Sequence, residues 1–295
     1  MTRIAFIGLG IMGLPMATNL LAAGYDVRAY NRSPRPGYEG ELASSVAEAV
    51  QDAEVIITML PDSPDVSSVV LGSDGVLASA APGALLIDMS SISPATARSI
   101  AAAGADVGVG VLDAPVSGGE QGAIEATLSI MVGGAADDVA AARPILETVG
   151  KTVVHVGPAG SGQTVKAANQ LIVAGTIELV AEALTFLDAH SVDLEPAVEV
   201  LAGGLAGNRI LDRKAAGMIA HEFAPGFRID LHHKDLGIVT DSARDAGVVI
   251  PLGALVAQLM ASARARGLGD LDHSALLLGV EALSGRGQNG TAATE

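Results

Sequence analysis

The first thirty residues change period twice. Arg3 to Ile7 is a continuous apolar run, glycines follow, a helical spacing leads to Ala23, and Asp26 to Tyr30 reads as a second strand. Gly24 stands where a helix C-cap is expected. Further on, Val55 to Leu60, Ala84 to Met89, Val111 to Val116, Leu128 to Val132 and Thr152 to Val156 are short apolar runs bounded by turn residues. Such alternation of strands and helices predicts an α/β, Rossmann-like, doubly wound sheet. Ligands bind at the carboxyl ends of its strands, where this chain puts Pro61 after Leu60, Ser90 and Ser91 after Met89, and Ser117 after Val116.

Gly157, Pro158, Ala159, Gly160, Ser161 and Gly162 then punctuate the chain, and the spacing beyond them is helical to about Leu283. The expected organisation is a cofactor-binding domain over 1–160, an all-helical C-terminal domain over 161–284 and a disordered tail over 285–295. A helix from Ser161 to about His190 opens the second domain. Its apolar stretch, Leu171 to Leu187, carries Glu178 and Glu182 on one face, costly in lipid, and reads as a buried helix of a soluble protein.

Composition narrows the partners. With 49% hydrophobic and 17% charged residues in 295, the chain can bury a large core and leave apolar surface for contacts between subunits. A net charge of −16 argues against nucleic acid and anionic membranes, so an anionic substrate needs a local basic site. Zero cysteines exclude disulfides, thiolate zinc sites and a cysteine nucleophile. Cytoplasm is the expected location, since the first residues form a strand rather than a secretory signal.

Gly8, Gly10 and Gly13, with Leu9, Ile11 and Met12 between them, follow a strand and open a helix. Gly8 permits the tight turn, Gly10 lets backbone approach a pyrophosphate, and Gly13 lets helix and sheet pack closely, so a nicotinamide or flavin cofactor is expected. At the tip of the second strand stand Asn31, Arg32 and Ser33, with no carboxylate to hold a ribose 2'-hydroxyl. Arg32 can face a 2'-phosphate with neutral hydrogen bonds from Asn31 and Ser33, which favours NADP(H) and keeps NAD(H) possible.

Ser117, Gly118 and Gly119 join a strand end to a glycine turn whose amides can receive a substrate carboxylate; an ordinary turn fits them equally. Lys166 has Asn169 and Gln170 three and four positions on, all on one helix face. Spacing leaves Lys166 open between a proton donor to a carbonyl and a solvated lysine. His232, His233, Lys234 and Asp235 form a dense ionisable cluster, but adjacent helical residues diverge and no further ligand stands at metal spacing, so no metal is expected. The other histidines show no catalytic constellation.

GLGIMGLPMATNL at Gly8 to Leu20, DAPVSGG at Asp113 to Gly119, GSGQTVKAANQ at Gly160 to Gln170 and HKDL at His233 to Leu236 together resemble the β-hydroxyacid dehydrogenase family. The resemblance implies a Rossmann-like domain plus a helical domain, dimers or tetramers assembled through the helices, and reduction of a small semialdehyde acid. By it, Lys166 matches the catalytic lysine, Asn169 its helix neighbour, and Ser117 with Gly118 and Gly119 the carboxylate loop. Ser91 and Lys234 match residues that contact cofactor, while Leu60 and Pro61 are the expected strand-end contacts. A reductase of a three-carbon semialdehyde acid heads the expectations, ahead of a 3-hydroxyisobutyrate dehydrogenase or another semialdehyde reductase, and of a silent NADP-binding module. The chain departs from the family where Asn31 leaves the strand tip uncharged, where the stretch after Arg35 is short, and where His233 replaces an apolar residue.

Overall fold

The computed structural model describes residues Met1 to Arg286, in two compact units, Met1–Lys166 and from Ala167 onward. The division falls inside a helix rather than at Gly160, because the first turn of that helix is held by the preceding sheet. In the first unit β1 (Arg3–Ile7), α1 (Gly13–Ala22) and β2 (Asp26–Tyr30) form a parallel βαβ unit. β3 (Glu41–Leu42) and α2 (Val46–Val50) precede β4 (Val55–Thr58), and α3 (Ser63–Leu71) with α4 (Val76–Ser79) precede β5 (Leu85–Asp88). Then come α5 (Pro94–Asp106), β6 (Gly110–Asp113), β7 (Val116–Ser117), α6 (Gly119–Ile124), β8 (Leu128–Gly133), α7 (Ala136–Val149) and β9 (Gly150–Gly157).

The sheet runs β3-β2-β1-β4-β5-β6-β8-β7, with β9 paired to β8. Order reverses at β1, the switch point where such sheets bind ligands. Alternate residues explain the two covered faces: Ile4 and Phe6 join one buried cluster, Ala5 and Ile7 the other. Tyr30, Ile7, Thr58, Asp88 and Asp113 form one register row that ends five parallel strands. The glycine turn after β1, the Asn31 tip and the loops after β4 and β5 leave from that row.

One strand expected from the sequence is divided in the structure. Val111 to Val116 is not one strand, because Pro115 has no N–H to give the ladder; β6 stops at Asp113 and β7 turns antiparallel to β8. The stretch after Arg35, short in the sequence, holds no helix between β2 and β3. Tyr38 covers the gap instead, its hydroxyl donating to Val27 O at 3.0 Å.

The second unit is helical, with α8 (Ser161–Ala189) entering it from the first. α9 (Leu194–Gly203), α10 (Arg209–Ile219), α11 (Ile229–Asp245), α12 (Pro251–Ala263) and α13 (Leu277–Leu283) follow. By length and composition α8 could cross a membrane. Its buried face, Ala174, Ile177, Ala181 and Leu184, instead packs with Leu211 and Met218 of α10, Leu236 of α11 and Met260 of α12 in the unit's core. Of the tail expected to be disordered, Gly287 onward lies outside the described residues, while Arg286 pairs with Asp188 at 3.0 Å.

Glu178 is buried on α8, and its Oε2 has no hydrogen-bond partner among the described residues. Burial, then the charge of Glu182, pushes its carboxyl up to about 7 from 4.5. Stability from this group is therefore full below the unfolded value and lost as pH rises through about 7. Glu178→Gln is expected to stabilise the protein by on the order of 2 kcal/mol at pH 8 and hardly at all at pH 4. Urea denaturation at both pH values checks it; an equal shift at the two would mean that ionisation is not the cause.

Candidate active site

The turn after β1 is built by exclusion. Gly8 has φ +105, and a Cβ on Gly13 would collide with the Gly8 carbonyl, so helix and turn touch backbone to backbone. A Cβ on Gly10, by contrast, would meet nothing within 4 Å. α1 begins with Met12 as its cap, without a side-chain hydrogen bond and with no acid in its first turn. An uncapped, unneutralised helix start beside an open glycine suits a diphosphate, so these residues fit a dinucleotide.

Asn31 holds this turn in place. Its Oδ1 accepts from Leu9 N–H at 2.9 Å and its Nδ2 donates to Ser33 O at 2.7 Å. The residue read from sequence as a neutral ligand to the cofactor thus has both ends of its amide committed to the loop. Arg32 and Ser33 are exposed at the same tip. Leu60 and Pro61 follow β4, and Ser63 begins the helix after them; Leu60 N–H donates to Ser90 Oγ at 2.9 Å, which ties this loop to the one carrying Ser91.

Two buried carboxylates sit side by side in the row of strand ends. Asp88 Oδ1 accepts from Thr58 Oγ1 at 2.8 Å, and burial pushes its carboxyl up to about 6, against hydrogen bonds from Ser90 and Thr58 and with a further rise from the charge of Asp113. Burial likewise raises Asp113, opposed by the backbone amides that it accepts. Its partners are Gly160 N–H at 2.7 Å and Gln163 N–H at 2.9 Å, the start of α8. Gln163 in turn accepts from Ile92 N–H at 3.1 Å and donates to Ser90 O at 2.8 Å.

Lys166 lies on this anchored turn of α8 and is only 8% exposed, so it is not the solvated lysine that spacing left open. Its Nζ donates to Val116 O at 2.8 Å, the carbonyl immediately before Ser117. Gly118 and Gly119 continue at φ +145 and +66 into α6, whose start has no side-chain cap. The structure therefore brings Lys166 to the backbone of the Ser117 turn. Thr58, Asp88, Ser90, Asp113 and Gln163 carried no assigned role in the sequence reading; an acid ending a buried strand was the signal available.

Within the second unit, Asn169 Nδ2 donates to Gln170 Oε1 at 2.9 Å, and Gln170 Nε2 to Asp235 Oδ2 at 2.6 Å. Lys234 Nζ completes the chain 2.9 Å from Asp235 Oδ1. His232 and His273 also form a buried pair, Nδ1 to Nδ1 at 3.0 Å, which sequence separation hid. Because His232 Nε2 faces Gln170 O at 3.2 Å it donates there, so its Nδ1 accepts from His273. Burial and then His232 push His273 down to about 3, which favours its neutral imidazole. No group of metal-ligand type is assembled among the described residues.

Residues 3–157 match the family described as the NAD binding domain of 6-phosphogluconate dehydrogenase, and residues 160–279 the one described as NAD-binding of NADP-dependent 3-hydroxyisobutyrate dehydrogenase. The chain is 41% identical over 289 residues to 2-hydroxy-3-oxopropionate reductase of Escherichia coli, covering 96% of this chain and 98% of that one. It is 38% identical to the NAD-dependent L-serine dehydrogenase of Pseudomonas aeruginosa, over 93% and 96% of the two chains. Among solved structures, Mycobacterium tuberculosis 3-hydroxyisobutyrate dehydrogenase with L-serine superposes with a TM-score of 0.85 at 36% identity, covering 94% and 98%.

Proposed function

The chain belongs to the β-hydroxyacid dehydrogenase family, an oxidoreductase with a nicotinamide-binding domain, and on that premise we propose that it reduces a small semialdehyde acid, 2-hydroxy-3-oxopropionate, to glycerate. One observation carries the reading: a buried ammonium, Lys166 Nζ, 2.8 Å from the carbonyl that precedes the Ser117 turn. A nicotinamide, when bound, supplies the hydride.

The protein's own groups do the rest. Ser117 and the amides of Gly118 and Gly119 hold the substrate carboxylate, and Lys166 gives a proton to the carbonyl oxygen as that oxygen gains electron density. In the reverse direction the neutral amine takes the hydroxyl proton. Asn169, aligned by Gln170, orients the substrate hydroxyl. Gly8, Leu9, Gly10, Ile11, Met12 and Gly13 receive the diphosphate, while Leu60, Pro61, Ser91 and Lys234 contact the rest of the cofactor. The 41% identity to the reductase supports this substrate. The L-serine in a 36% identical neighbour supports a second reading, oxidation of a 3-hydroxy acid.

NADP(H) is the preferred cofactor in this account, with NAD(H) possible. Arg32 is exposed at the strand tip, where no carboxylate repels a 2'-phosphate. Arg32→Ala is expected to weaken NADPH alone by about tenfold to a hundredfold, since a charge-assisted contact is worth about 1.5 to 3 kcal/mol. Equal losses with NADPH and NADH would reduce Arg32 to a support of the loop.

A homodimer or homotetramer built through the helical unit goes with the proposal. Ile172, Leu179 and Phe186 stand seven residues apart on α8 and are 68%, 64% and 64% exposed, an apolar stripe suited to another copy. The charge of −16 disfavours nucleic acid and anionic membranes as partners, and the absence of cysteine suits the cytoplasm. Specificity constants for 2-hydroxy-3-oxopropionate, 2-methyl-3-oxopropionate and succinic semialdehyde, each with NADPH and NADH, test the reading. The first substrate with NADPH should rank highest; a higher constant for either other acid would replace it.

A further inference from the structure

The four residues from Asp113 to Val116 touch α8 at two heights. At the lower one, the buried Asp113 carboxylate accepts from Gly160 N–H and Gln163 N–H, one oxygen each, as a helix cap would, but from a strand end 47 residues away. At the upper one, Val116 O accepts from Lys166 Nζ. Gln163, one turn before Lys166 and hence on its face of the helix, ties the same turn to the loop after β5 through Ile92 N–H and Ser90 O.

The fit around this mount leaves little play. A Cβ on Gly162 would lie 2.6 Å from Asp113 O and 2.8 Å from its Oδ2, and one on Gly133 would lie 2.8 Å from Gly162 N. Backbone, carboxylate and helix start are therefore in direct contact. A buried carboxylate is costly to keep, and an apolar residue could fill the space; what the carboxylate adds is two acceptors aimed at the positive end of α8.

We propose that Asp113 and Gln163 are positioning residues for Lys166, fixing the height and rotation of the first turns of α8 so that its Nζ stands beside the Ser117 turn. The proposal rests on the reading of Lys166 as proton donor. It requires that both residues act through Lys166, and a double-mutant cycle measures that dependence. A lysine displaced by about an ångström can lose about a hundredfold in rate without touching cofactor.

Asp113→Asn and Gln163→Met are each combined with Lys166→Ala, and single-turnover rates, cofactor affinity and melting temperature are measured for all variants. In the wild-type background Asp113→Asn should lower the chemical rate by about 10-fold to 100-fold, and Gln163→Met by somewhat less, with NADPH affinity within about twofold. In the Lys166→Ala background neither should cost more than about twofold further. The same loss in both backgrounds, or none in wild type, would overturn the positioning role. Should Asp113→Asn fail to fold, Gln163→Met decides by the same comparison. A Lys166→Ala protein that alone keeps more than about a tenth of the rate overturns the proton-donor reading first, an outcome separate from a failed cycle.

Discussion

Lys166→Ala is expected to lower turnover by about 100-fold to 10,000-fold while the protein still binds reduced nicotinamide cofactor. Transfer of a hydride to a carbonyl leaves an alkoxide, and a group able to protonate it as it forms accounts for an effect of that size. Lys166 has what this needs: a side chain 8% exposed, an ammonium placed by Val116 O, and a turn of α8 tied down by Asp113 and Gln163. The glycine turn after β1 owes nothing to the lysine, so its affinity for cofactor should stay near wild type. Lys166→Arg should fail almost as badly, because the wider, permanently charged fork neither fits the buried position nor gives up a proton. Turnover by absorbance and affinity by NADPH fluorescence titration check both halves; a variant keeping more than about a tenth of the rate would remove the lysine from the chemistry.

The next largest effects are expected at two glycines that the structure separates. A methyl group on Gly13 meets the Gly8 carbonyl and comes within 3.1 Å of Phe6 Cε1, so Gly13→Ala must push α1 off the sheet. Overpacking of this kind costs about 1 to 3 kcal/mol, and the distorted turn should lose cofactor affinity as well. Gly10→Ala meets nothing within 4 Å in the protein and should keep the wild-type stability. Its methyl group stands where backbone would approach the diphosphate, and affinity should fall by about tenfold or more. Denaturation midpoints together with cofactor titrations separate the two. A stable Gly13→Ala protein with normal binding, or a Gly10→Ala protein with unchanged affinity, would contradict this account of the turn.

What could be read from sequence was mostly local. The strand, glycine turn and helix at the N-terminus are contiguous, and their period and glycine spacing carry the geometry without help from elsewhere. Lys166 was different. Helical spacing put it beside Asn169 but could not say whether it faced water, because its burial depends on β6, β7 and a turn about fifty residues earlier. Family resemblance implied a role for it; the fold shows it buried, with its Nζ on Val116 O. Asp113 and Gln163 were present in the quoted motifs, yet their chemistry appears only when the end of β6 meets the start of α8. The tie from Asn31 to the glycine turn was hidden for a related cause, since Leu9 is reached only where β2 lies beside β1, whereas Ser33 is a local partner. The His232 and His273 pair closes over 41 residues and left no pattern along the chain.

The claim at the centre of this account is that the protein is a working reductase and not a nicotinamide-binding module without chemistry. Enzyme in excess over NADPH, mixed once with 2-hydroxy-3-oxopropionate, tests it in a single turnover. A working reductase loses reduced-nicotinamide absorbance with glycerate formed one for one, at a rate that collapses in Lys166→Ala. Unchanged absorbance with this and every other semialdehyde acid, in a protein shown by fluorescence to hold NADPH, would contradict it.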